Sequence, residues 1–87
     1  MVPDAIVVPM NWSGDGWEVS DAFALEVETY PSKHMNRVRS HCFNDIQKLG
    51  LSKVLFVVAD EDGKTTILEA VADLPANIRS AVDVQLC

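Results

Sequence analysis

The run Lys53-Val54-Leu55-Phe56-Val57-Val58-Ala59 constrains this chain more than any other segment. It is almost continuously apolar and rich in β-branched and aromatic residues, the composition of a strand. An unbroken run, rather than an alternating one, suits a strand covered on both faces, typically a parallel strand of an α/β sheet. A parallel strand must be reached by a crossover, usually a helix. The preceding residues supply one. Met35, Val38, Cys42, Ile46 and Leu49 recur at three- and four-residue steps, with Phe43 widening the stripe. Lys33, Arg37, His41, Asn44 and Lys48 occupy the opposite side. Ser32 is placed to cap the start, after Pro31, and Gly50 to end the helix in a left-handed conformation.

The remaining elements are read around this pair. Ala5-Ile6-Val7-Val8-Pro9-Met10 has strand composition. Asn11-Trp12-Ser13-Gly14-Asp15-Gly16 is a cluster of turn formers, and Trp17 to Val19 begins a return. In Ala22-Phe23-Ala24-Leu25-Glu26-Val27-Glu28-Thr29, period 2 puts Phe23, Leu25 and Val27 on one face and Glu26 and Glu28 together on the other. The two segments are expected to pair as an antiparallel hairpin. Asp60-Glu61-Asp62-Gly63 reads as a loop. Beyond it, Ile67, Leu68, Val71 and Leu74 follow helical spacing, favoured over a strand from Thr65 to Val71. Pro75-Ala76-Asn77 breaks that helix, and Ala81 to Leu86 alternates as a final strand. The order strand, strand, helix, strand, helix, strand defines an α/β domain with a mixed sheet.

Length allows one domain, spanning 1–87, and a core this small is marginal alone. The abrupt start of strand-like sequence at Ala5 raises the expectation of a fragment of a larger protein. A balance of 7 Lys+Arg against 13 Asp+Glu, net charge −6, argues against tight, unaided DNA binding through many phosphate contacts. Two cysteines are too few for a disulfide scaffold. With no spanning apolar run and no signal peptide at Met1-Val2-Pro3-Asp4, a cytoplasmic location is expected, with no membrane partner.

Three acids stand out. Asp4 opens the first strand, and Glu26 and Glu28 share a face of the second, so a hairpin brings them to one end of adjacent strands. Bare carboxylates at about 4 Å would repel by roughly 4 kcal/mol at an effective dielectric near 20. A divalent ion reverses that cost, and Mg²⁺ takes one or two carboxylates and retains waters. Pro3-Asp4 followed by Glu26-Val27-Glu28, with the helix ending Asn44-Asp45-Ile46-Gln47-Lys48-Leu49-Gly50 and then Lys53 to Val58, resembles the PD-(D/E)XK signature of restriction-endonuclease-like nucleases. It is similar in particular to such domains appended to larger ATPase or plasmid and mobile-element proteins. The likeness covers roughly residues 3 to 60. It implies a core of helix, three strands, helix and strand, lacking here its first helix and first strand.

The resemblance further implies metal-dependent hydrolysis of a DNA phosphodiester with Mg²⁺ or Mn²⁺. By motif position, Asp4 and Glu26 are metal ligands. Glu28 stands where the family usually has Lys; a Lys from the following helix replaces it, as in some members with that exchange, or Glu28 becomes a third ligand, or activity is lost. Lys33, Arg37 and Lys48 are candidates to replace the missing cation, Lys33 being nearest. The expected partners are DNA, held weakly by this domain alone, a second copy in a homodimer, and other domains of a parent protein. The alternative is a catalytically inactive dimerisation or docking module of the same fold within a larger DNA-processing protein. The residues also have plainer readings: Asp4 as a strand-start residue, Glu26 and Glu28 as a solvent face, and the basic helix residues as a wet surface. Trp12 and Trp17 either cover the end of the core or stack on a partner. His34 and His41 lie seven apart and Cys42 is on the core stripe, which argues against zinc.

Overall fold

The computed structural model describes residues 3–8 and 22–87. The elements run β1 (Ala5–Val7), β2 (Phe23–Glu28), a 3₁₀ turn (Pro31–Lys33), α1 (Met35–Cys42), a π-helical continuation (Phe43–Lys48), β3 (Val54–Val58), α2 (Glu61–Val71), the short α3 (Ala76–Arg79) and β4 (Val82–Leu86). Sheet order is β1-β2-β3-β4. β1 pairs antiparallel with β2, Ala5 opposite Leu25. β2 and β3 are parallel, Glu26 opposite Phe56, and β3 and β4 are parallel, Phe56 opposite Val84. The result is a small α/β domain with a mixed four-stranded sheet, as the order of elements predicts.

Register explains the core. Ala24, Val54 and Val82 form one cross-strand row, Glu26, Phe56 and Val84 the next, and Glu28, Val58 and Leu86 the third. Ala24, Val54, Phe56, Val58 and Val84 from these rows are buried, joined by Val38 and Cys42 from α1 and Ile67, Ala70 and Val71 from α2. α1 and α2 also touch each other, so both helices lie over this face. Gly63 allows α2 to sit close to β3, since a Cβ there would fall 3.1 Å from the Cβ of Val58.

Several expectations change. Glu26 and Glu28 do share a face, but it is the helix-covered one, whereas Val27 on the other face is 56 % exposed. The solvent-face reading of the two acids is therefore overturned. β3 is parallel as expected, yet only alternate residues are fully buried: Leu55 and Val57 are half-buried, because both helices pack on one side. Residues 61–63 are the first turn of α2, not a loop. Asp60 is the N-cap, accepting from the Gly63 N–H at 2.8 Å, with Glu61 and Asp62 in the first turn, where acids favour the helix dipole.

Ser32 lies within the 3₁₀ turn, and α1 begins after His34 without a side-chain cap. The π stretch widens the last turns, with the Leu49 N–H donating to Asn44 O, and it moves the apolar stripe off register. Phe43 and Leu49 are each 38 % exposed as a result, while Asn44 and Asp45 turn inward. Gly50 ends the helix at φ 72° as expected. Cys42 is buried and Cys87 exposed, both free. The Cys87 N–H still pairs with Val58 O, so the last backbone donor is held. The expected strand end at Pro9 and Met10, the turn at 11–16, the return from Trp17 and both tryptophans lie outside the described residues. Among those described, no helix is long and apolar enough to cross a membrane.

Candidate functional site

Beside the apolar core lies a polar row. On α1 and its continuation, Val38, Cys42 and Ile46 form the inward row, and Arg37, His41 and Asp45 repeat at the same four-residue step one residue earlier. Neighbouring residues of a helix differ by about 100°. When Val38 and Cys42 point into the core, the second row therefore faces sideways, towards the part of the sheet where Glu26 and Glu28 stand. The acids of β2 and the polar row of the helix meet there.

Glu28, buried, accepts a hydrogen bond from Arg37 Nη2 at 2.9 Å. The Arg37 side chain is 52 % exposed, so the pair joins the core edge to solvent. Glu26 is buried more deeply in its surroundings. Its Oε1 accepts the Asp4 N–H at 3.1 Å. Its Oε2 lies 3.0 Å from His41 Nδ1 without the alignment of a hydrogen bond. Asp45, fully buried, accepts at Oδ1 from Asn44 Nδ2 at 2.9 Å. Glu26 Oε2, His41 Nδ1 and Asp45 Oδ2 are thus left buried with no aligned partner outside their own cluster. One donor atom from each of these three residues lies within 4.8 Å of the others.

Energetics make such a cluster unusual. A buried polar atom without a partner costs about 1–3 kcal/mol, and an unpaired charge costs more. Two carboxylates so close in low dielectric do not both stay ionised. Burial first, and then the hydrogen bond shared with Asp45, push the Glu26 carboxyl from 4.5 up to about 8; the Asp4 N–H pulls the other way, and the Asp45 and Asp4 charges add to the rise. Glu26 accordingly holds its proton well above the usual carboxylate range. Burial, followed by the fields of Asp45 and Glu26, pushes the Cys42 thiol up to about 12. Cys42 therefore remains a neutral thiol in the core.

The four residues singled out in the sequence are distributed as follows. Asp4 is exposed at the head of β1, its N–H on Glu26 and its Oδ2 accepting the Val27 N–H at 2.8 Å. Asp4 and Glu26 are therefore in direct contact. Glu28 shares the Glu26 face and is held by Arg37. Lys33 is exposed in the 3₁₀ turn, its Nζ 5.4 Å from the centroid of the Tyr30 ring. His41 and Asp45 were not expected at this site. Their signal was the four-residue repeat of Arg37, His41 and Asp45 together with the two-residue repeat of Glu26 and Glu28. Reading all polar helix positions as solvated conceals it.

The carboxylates and imidazole together make an oxygen-and-nitrogen donor set of the kind that holds a divalent ion. No family model, curated protein or solved structure matches the chain.

Proposed function

We propose that this domain is a restriction-endonuclease-like nuclease that hydrolyses DNA phosphodiester bonds with Mg²⁺ or Mn²⁺. The observation that supports it most is the contact between Asp4 and Glu26 across the antiparallel β1–β2 pair, with the Asp4 N–H on Glu26 Oε1 at 3.1 Å. The order β1, β2, helix, β3 agrees with the core from its second strand onward. Glu26 offers a divalent ion a buried carboxylate oxygen, Oε2, on its His41 side, while its Oε1 faces the Asp4 N–H.

In this reading Asp4 and Glu26 hold the ion. A bound divalent ion acidifies water and offsets charge on a phosphoryl oxygen. Asp4 also acts within the sheet, where its acceptance of the Val27 N–H fixes the end of β1 against β2. Glu28 is occupied by Arg37 and serves as an anchor instead of a third ligand. The half-exposed guanidinium of Arg37 then supplies the cation missing at position 28, ahead of Lys33, whose ammonium sits over Tyr30. With a net charge of −6, DNA is presented by another domain or subunit.

Plasmid nicking in millimolar Mg²⁺ or Mn²⁺ tests the proposal. Activity is expected in the wild type and lost in Asp4→Ala and Glu26→Ala variants that keep their circular dichroism. Nicking that is equal in wild type and Asp4→Ala refutes it. The Glu28–Arg37 pair and the Lys33–Tyr30 contact favour a second reading, an inactive dimerisation or docking module within a DNA-processing protein. That reading requires concentration-dependent association in sedimentation, with neither nicking nor metal response.

A further inference from the structure

We propose that Glu26, His41 and Asp45 form a binding site for a divalent transition-metal ion, with two of its three ligands on the helix that crosses from β2 to β3. This goes beyond the nuclease reading, with which it shares Glu26, because it depends neither on DNA nor on hydrolysis and takes its other two ligands, His41 and Asp45, from outside the motif.

Two independent observations converge on the same residues. The donor atoms of Glu26, His41 and Asp45 lie within 4.8 Å of one another. Separately, Glu26 Oε2, His41 Nδ1 and Asp45 Oδ2 are buried without an aligned hydrogen-bond partner outside the cluster, in residues of which Glu26 is 3 % and Asp45 0 % exposed. An acidic cluster on a surface would satisfy the first condition alone.

The supporting contacts orient the ligands. The Asp4 N–H holds Glu26 Oε1 and Asn44 Nδ2 holds Asp45 Oδ1, so each carboxylate has one oxygen engaged and the other turned to the cluster. Outer contacts of this kind fix metal ligands in place. His41 and Asp45 are four residues apart, which stacks them on one side of the helix. Glu26 sits mid-strand, opposite Phe56. Ligands at about 2.1 Å from one ion stand roughly 3–3.5 Å apart, and Glu26 Oε2 and His41 Nδ1 are already 3.0 Å apart. The His41 side chain is 16 % exposed and gives the ion its access to solvent.

Charge and softness select the ion. Two carboxylates with a neutral imidazole balance a double positive charge. Imidazole suits Zn²⁺, Co²⁺ and similar ions, whereas Mg²⁺ and Ca²⁺ prefer oxygen alone.

The test uses the full chain, stripped with chelator and titrated with Co²⁺ and then Zn²⁺. Calorimetry and the visible d–d absorption of Co²⁺ provide the readouts. We expect one equivalent to bind, and millimolar Mg²⁺ not to displace it. Asp45→Asn, which preserves shape, and His41→Ala are expected to weaken binding at least tenfold, while His34→Ala binds as the wild type does. Zn²⁺ should also shift the ring nitrogen resonances of His41 in the unmutated protein, which frees the result from any folding defect in a variant. Absence of a Co²⁺ band and of binding heat overturns the proposal, as does undiminished binding in both His41→Ala and Asp45→Asn. Co²⁺ binding that persists in a protein unable to nick DNA removes the nuclease reading and leaves this site intact.

Discussion

The buried carboxyl of Glu26 makes the stability of this domain depend on pH in an uncommon direction. Its folded-state pKa is raised from 4.5 to about 8, so between these values the folded chain carries a proton that the unfolded chain has lost. Stability falls with rising pH wherever the native state binds more protons than the unfolded state. The slope is about 1.36 kcal/mol per pH unit, which over the interval from 4.5 to about 8 amounts to at most about 5 kcal/mol. The buried Asp45 carboxylate beside Glu26 makes this an upper bound, and a few kcal/mol is the expected drop. A domain with total stability of about 5–15 kcal/mol feels that strongly. The perturbation is Glu26→Gln, which keeps shape and hydrogen-bonding capacity and cannot ionise. Urea unfolding of the chelator-treated protein, followed by circular dichroism at pH 5, 6, 7 and 8, gives the profile. The wild-type midpoint is expected to fall steadily from pH 5 to 8. Glu26→Gln should flatten the profile and exceed the wild type in stability at pH 8. A wild-type midpoint constant across the range, or an equal slope in the variant, refutes the argument that Glu26 is protonated by its surroundings.

Three further outcomes follow from particular contacts. Arg37→Ala leaves the buried Glu28 carboxylate without its partner and should cost about 1–3 kcal/mol in urea unfolding, with Glu28→Gln in the same background restoring part of it. Asp60→Ala removes the cap on the Gly63 N–H and should cost about 1 kcal/mol, again read from the unfolding midpoint. Gly50→Ala forces a side chain into φ 72°; nothing crowds the Cβ position, so the cost should be only the backbone strain, about 1 kcal/mol, visible as a lower Tm.

What the amino-acid sequence determines here is the set of elements and their order. The apolar run at 54–58, the stripe through Val38 and Cys42, the helical spacing after Gly63 and the glycine at 50 are local patterns, and each carries its own period or backbone requirement. The parallel pairing of β2 and β3 also follows, because a helix separates them. Even the sharing of one face by Glu26 and Glu28 is a local fact of strand geometry.

Which face that is belongs to the tertiary structure. Alternation makes Phe23, Leu25 and Val27 the apolar side of β2, and an isolated strand offers no reason to bury the acids instead. β2 is governed by its register with β3: Glu26 stands in the row of Phe56 and Val84, and that row lies under the helices. The helix contributes in the same way. His41 and Asp45 look like solvated positions until packing of Val38 and Cys42 and the wide turn after Cys42 swing them against the sheet. Opposed polar rows become a buried cluster only when both elements are docked, since burial and proximity are properties of the pair and of neither segment alone.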